Sequence, residues 1–366
     1  MIKITKSFLL IVTMVVMCFA VASMVSAKTI PSSGSCGENV TYTYNNTTKK
    51  LVISGTGAMT DYESDSSPFY FSDVENVVIN NGITSIGNYA FSNCNNLTSV
   101  TLPNGVTSIG KYTFYNCYDL KFITIPDSVT SIGNGAFFEC NSLANIKIPD
   151  NITTINDGTF CGCSSLINIT IPNSVTAIKN SAFGYCSSLQ KVTIGDSLTM
   201  IDTAAFAHCS NLKSIIIPNN VKTIGIYAFQ NCTSLTQIII GNNLSTIAEL
   251  AFLNCKSLET IVIPKSLTTI SHETFYNCGN IKNVYYGSTK ENWNKILIEY
   301  GNNNFISATI HYCNLVTTEV TCGKDSVEKY ICTECDSYYV TKVLKEATGE
   351  HTYETAITSP TCTEKG

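Results

Sequence analysis

Leu97-Thr98-Ser99-Val100-Thr101-Leu102-Pro103-Asn104-Gly105-Val106-Thr107-Ser108-Ile109-Gly110-Lys111-Tyr112-Thr113-Phe114-Tyr115-Asn116-Cys117 reads as one structural unit, and the chain repeats it. Leu97, Val100 and Leu102 have the offsets of a short strand, with Val100 and Leu102 on its inner side. Pro103 stops the strand, because it has no amide proton to give to a ladder. Val106 and Ile109 begin a return leg, and Gly110 helps to turn it. A coil this small cannot bury its apolar side alone, so it must stack on copies of itself.

The copies are in register. Phe91, Phe114, Phe137, Phe160, Phe183, Phe206, Phe229, Phe252 and Phe275 lie 23 residues apart. Three residues after each comes Cys94, Cys117, Cys140, Cys163, Cys186, Cys209, Cys232, Cys255 or Cys278. Three further on lies a Leu from Leu97 to Leu258, and finally Ile281. The residue before each Phe is Ala or, at Thr113, Thr159 and Thr274, Thr, small enough to sit beside a ring. A fixed period of this size marks a solenoid. The expected fold is a repeat solenoid with one short strand per repeat forming a parallel sheet. Strands about 4.8 Å apart make nine coils roughly 45 Å long. The unit resembles the BspA-type leucine-rich repeat, common on bacterial surfaces and present in some parasitic protists. The resemblance covers residues 77–284, and Ile53-Ser54-Gly55-Thr56-Gly57-Ala58-Met59 resembles the usual lead-in of such proteins. It implies a protein that attaches to matrix proteins or other cells.

The flanks divide the rest. Residues 1–27 read as a signal peptide: Lys3 and Lys6 precede the apolar stretch Phe8 to Val25, and Val25-Ser26-Ala27 offers small residues for cleavage. The expected location is secreted or cell surface, with no membrane span in the mature chain. Residues 28–76 form a β cap, with strands Val40 to Tyr44 and Leu51 to Ser54 around an Asn/Thr/Lys turn. Residues 77–284 hold the nine repeats, and 285–312 form a C-terminal cap. There Ser288-Thr289-Lys290-Glu291 reads as a capping box opening a helix that carries Trp293, Ile296 and Leu297. The sole Trp would cover the end of the stack. Residues 313–366 form a Cys/His-containing module, expected to fold independently of the solenoid. Val320-Thr321-Cys322 recurs as Pro360-Thr361-Cys362, so the module reads as the first of a tandem series cut short.

Seventeen cysteines in an exported chain would ordinarily suggest a disulfide framework. The nine repeat cysteines instead share one inward position beside Phe and Leu. They are expected to be free thiols acting as small buried apolar residues. Cys161 falls in a variable column. In the tail, Cys322, Cys332, Cys335 and His351 form a Cys-x9-Cys-x2-Cys…His set that suits tetrahedral zinc. A disulfide from Cys322 to one of the Cys-x2-Cys pair and free thiols are the other readings. No further cofactor is expected.

Catalytic signatures are missing from the sequence. His272-Glu273 begins like a zinc-protease helix, but Tyr276 stands where the second His is required. Neither a G-x-S-x-G elbow nor a phosphate-binding P-loop occurs. Charged residues make up 13% and the net charge is −5, so no basic field attracts nucleic acid. Function is therefore expected from surface columns and binding, not catalysis. The outward strand column reads Thr101, Thr124, Lys147, Thr170, Thr193, Ile216, Ile239, Val262, Tyr285. Its last four members make an apolar strip, with Lys213, Gln237, Glu259 and Lys282 as a polar rim, and the next column adds Phe122. Drift among β-branched residues that suit strands would give the same column; its contiguity favours a contact surface. The expectation is adhesion to a host or neighbouring-cell protein or glycan through Ile216, Ile239, Val262, Tyr285 and Phe122. A structural spacer or accessory region displaying a further C-terminal domain is the alternative. Because the strip faces outward, replacing Ile216, Ile239 and Val262 by Thr is expected to leave folding nearly unchanged.

Overall fold

A computed structural model describes residues 28–317, 326–332 and 338–345. The expected signal peptide, residues 1–27, lies outside them.

The 23-residue period becomes a 23-residue register. On the strand face, Asn76–Ile79, Ser99–Thr101 and Phe122–Thr124 pair in parallel. Asn168–Ile171 pairs with Lys191–Ile194. Ser214–Ile217, Gln237–Ile240, Thr260–Ile263 and Asn283–Tyr286 follow, also parallel. On the opposite leg, two-residue strands form a second ladder from Thr154–Ile155 to Thr269–Ile270. Parallel pairing at a constant shift sets each residue beside its equivalent in the next coil, so sequence columns become ladders.

The Phe column is the core. All nine repeat rings are fully buried. Neighbouring centroids lie 5.1–5.6 Å apart with planes within 17° of parallel. That spacing is the coil's own step, within the range of offset aromatic pairs. Each buried Phe contributes about 1.5–3 kcal/mol. Two further rings extend the spine: Phe69 stacks on Phe91 at 5.4 Å, and Phe305 on Phe275 at 4.8 Å.

The repeat cysteines are buried free thiols, as expected, and they also bond. Each thiol donates to the backbone carbonyl of the Phe in the preceding coil. The series runs from Cys94 Sγ to Phe69 O through Cys278 Sγ to Phe252 O, all at 3.0–3.3 Å. The side chain fills a small apolar space and also serves a buried carbonyl, which a purely apolar residue could not do. Burial pushes the Cys94 and Cys232 thiols up to about 12, because it disfavours the thiolate.

Both ends are closed. Val40–Asn45 and Lys50–Gly55 pair antiparallel, and Asn45 Oδ1 accepts from the Thr47 and Thr48 amides at the turn between them. Lys50–Gly55 then pairs in parallel with Asn76–Ile79, and Tyr42 meets Phe69 edge-on at 5.0 Å. A further strand, Ser33–Gly37, joins the cap. At the other end the helix is a single turn, Lys290–Trp293, and Thr289 is its N-cap. The capping box does not form, because the position facing the cap is Asn292, whose side chain donates to Ser288 Oγ. Ile296 and Leu297 lie beyond the helix, and Leu297 is exposed in the strand Leu297–Ile298. Trp293 does cover the stack, 5.8 Å from Phe305 and 5.5 Å from Tyr286.

The tail departs from expectation. Thr309–Thr317 pairs in parallel with Asn283–Tyr286 and antiparallel with Ser326–Cys332, which pairs with Tyr338–Lys345. The boundary expected after Tyr312 thus falls inside a strand. The tail continues the strand-face sheet instead of standing apart from it, because Thr309 to Tyr312 supply another rung in the same register.

Candidate binding face

The outward strand column has two environments. Thr101, Thr124, Lys147, Thr170, Thr193 and Ile216 are exposed. Ile239, Val262 and Tyr285 are buried, and they form one cluster with Cys313 and Cys332 of the tail strands. The Tyr285 ring stacks on His311, its partner in register on the next strand, at 4.6 Å. Gln237 and Thr260 in the adjoining column are buried as well. Three of the four strip residues expected to face solvent are therefore interior. Strand alternation sets the side to which a residue points; it does not set what lies on that side. Of the expected rim, Gln237 is buried, and Lys282 pairs with Glu259 at 3.0 Å on the surface. The triple Thr substitution would bury two hydroxyls, so the expectation that it leaves folding unchanged is withdrawn.

Ile216 at 50% and Phe122 at 70% stay exposed on this face, and Ile167 at 39% is exposed in its rim column. Phe122 stands where the strand ladder lapses. The strands Phe122–Thr124 and Asn168–Ile171 flank a coil whose segment 144–148 forms no strand. Its backbone is still tied on one side, where the Ile167 amide donates to Ala144 O at 3.2 Å. An open groove of about 510 Å³ results, lined by Phe122, Thr124, Ser142, Ala144, Asn145 and Ser165. Lys147 and Asp127 form an exposed ion pair nearby. The sequence did not reveal this lapse: Asn145-Ile146-Lys147-Ile148 keeps the same alternation as its neighbours.

The zinc set is only partly visible. Cys322, Cys335 and His351 lie outside the described residues. Cys332 is buried in the cluster just described, with its sulfur 4.0 Å from His311 Nδ1. Among the described residues no group of three or more His, Cys, Asp or Glu side chains is placed to hold a metal. Among them, too, no helix is long and apolar enough to cross a membrane. His272 lies beside Glu273 at a turn between coils, its ring stacked on Tyr300.

A parallel coil with one face strand per repeat, a continuous Phe spine and capped ends defines a leucine-rich-repeat solenoid. The family model of the BspA type leucine rich repeat region matches residues 63–190 and 176–303, with six copies. The chain belongs to that family. It is similar to the crystal structure of a leucine-rich repeat protein from Bacteroides ovatus, at 28% identity and a TM-score of 0.58, over 75% of this chain and 70% of that one. It is also similar to one from Eubacterium ventriosum, at 28% identity and a TM-score of 0.50, over 71% and 73% of the two chains. A comparison with curated protein sequences gave no match.

Proposed function

We propose that this chain is an exported, surface-displayed adhesion module. It contacts a protein or glycan on a host or neighbouring cell through the open part of its strand face, and it acts by binding, not by catalysis. Phe122 carries the reading. An aromatic ring 70% exposed, beside a groove and on a rigid sheet, is poor design for a surface that touches nothing. Aromatic anchors of this kind supply a large share of binding energy at protein interfaces. The exposed Thr ladder around it gives hydrogen-bonding groups at the coil step, the polar surround that contact sites have. The basic and apolar N-terminal stretch supports export.

The test is a screen of the full chain against extracellular matrix proteins and glycans, repeated with Phe122→Ser. Because Phe122 makes little use of the core, its unfolding midpoint should match the parent's. Binding to a partner found in the screen should fall roughly 10-fold or more. Full retention of affinity by the variant would move the contact away from this face.

A further inference from the structure

The second residue after each spine Phe has a left-handed backbone, with φ between 57° and 78° in all nine coils. Asn and Gly are the side chains that suit this region. Asn93, Asn116, Asn231, Asn254 and Asn277 hold five of the nine positions. Where two are adjacent their amides join: Asn116 to Asn93 at 3.0 Å, Asn254 to Asn231 at 2.8 Å and Asn277 to Asn254 at 2.7 Å. The four middle coils break this ladder with Glu139, Gly162, Tyr185 and His208. Glu139, Tyr185 and His208 thus replace the Asn ladder with larger or charged side chains in one contiguous patch.

The patch is a built groove of about 460 Å³. Tyr185 stacks on His208 at 4.3 Å and 8°, and the Asn231 amide holds His208, 3.2 Å from Nε2. One face of the Tyr185 ring is therefore covered. The other looks toward the coil of Gly162, where the lack of a side chain leaves room for Glu139, and Tyr185, Gly162 and Glu139 line the groove together. The Glu139 carboxyl leans over that glycine; a Cβ there would lie 2.6 Å from Glu139 Cδ. Asn141, with its amide oriented to satisfy both neighbours, donates to Glu139 Oε2 at 2.9 Å and to Gly162 O at 2.6 Å. The Ser187, Ser210 and Thr233 hydroxyls donate along the backbone of the preceding coils, at 3.3–3.5 Å. Having given their protons to carbonyls, they offer the groove only lone pairs.

The groove is thus rich in acceptors, bears a half-buried carboxylate and has an aromatic ring in its lining. No Lys or Arg lines it. Burial lowers the pKa of His208, so the imidazole does not supply the missing positive charge at neutral pH. Burial raises that of Glu139, which a cation would reverse. We infer that this groove binds a cationic side chain, an arginine or lysine presented by a peptide or protein. The cation lies against the Tyr185 ring and hydrogen-bonds to the Glu139 carboxylate. A guanidinium or ammonium group has only donors, which matches a lining of acceptors, and it gains from the ring face and the carboxylate together. The groove sits on a different edge of each coil from Phe122, so the inference does not depend on the strand-face proposal.

The test is calorimetric titration of the full chain with a capped Gly-Arg-Gly peptide, its citrulline counterpart and spermidine. Citrulline keeps the shape of arginine and lacks its charge. The arginine peptide should bind saturably, and the citrulline peptide at least 10-fold more weakly. Glu139→Asn and Tyr185→Asn restore the residue that the same column uses elsewhere, so their thermal midpoints should equal or exceed the parent's. Each should nonetheless weaken the arginine peptide at least 10-fold. Equal binding of the citrulline peptide, unchanged binding in both variants, or no saturable binding would overturn the inference. Tighter binding of spermidine than of the peptide would overturn the assignment to a protein side chain.

Discussion

Ile216 and Val262 stand at equivalent places two coils apart, on strands that pair through Ile239 in an unbroken register. Ile216 is half exposed and Val262 is fully buried. Nothing in the local sequence separates them, since both sit outward between inward apolar residues. The difference lies beyond the coil, in the cluster that Ile239, Val262 and Tyr285 make with Cys313 and Cys332. A repeat sequence states which way a side chain points, while its neighbours across the sheet decide whether that side is surface or core. The strand face therefore has a closed part, from Ile239 onward, and an open part that includes Phe122.

The Phe spine sets the upper end of the scale against which both parts are measured. Phe183 lies in the middle of the array with rings on either side at 5.4 and 5.3 Å. Phe183→Ala should cost about 3–5 kcal/mol, through lost burial and the cavity left behind. Denaturant unfolding monitored by circular dichroism reads this directly, and a cost below about 1 kcal/mol would show that the column is not the core. Next in size is the closed strand face. Val262→Thr keeps the shape but buries a hydroxyl, at about 1–3 kcal/mol. Ile216→Thr exchanges one exposed β-branched residue for another and should stay within about 0.5 kcal/mol of the parent. Equal costs at the two positions would erase the distinction between the parts.

Much of this was legible in the sequence. The 23-residue recurrence of Phe, Cys and Leu dictated a stacked coil, because a single unit has no way to bury its apolar side. Phe69 and Phe305 were missed as spine residues because the caps break the period: they lie 22 residues before Phe91 and 30 after Phe275. The carbonyl-bonding role of the cysteines was hidden for a different reason, since spacing shows where a side chain goes and not which backbone atom it meets. The C-terminal helix was overestimated because Ser288 and Thr289 are both plausible caps, and the structure uses the second. On the candidate surfaces, Phe122 was identified, whereas burial of the apolar strip depends on contacts from far along the chain. The Glu139 to His208 groove did leave a trace: an Asn column that lapses for four coils and resumes at Asn231. That trace carries meaning only once the left-handed backbone at the position is known.

The contrast between Ile216 and Val262 has its most direct test in thiol labelling of Ile216→Cys and Val262→Cys in the native full chain. The repeat cysteines give a quiet background, because burial shields all nine and holds those from Cys94 to Cys255 protonated, and the thiolate is the reactive form. Ile216→Cys should gain one fast-labelling thiol over the parent. Val262→Cys should gain none until the protein is unfolded. Labelling of Val262→Cys as fast as that of Ile216→Cys would contradict the division of the strand face into an open and a closed part.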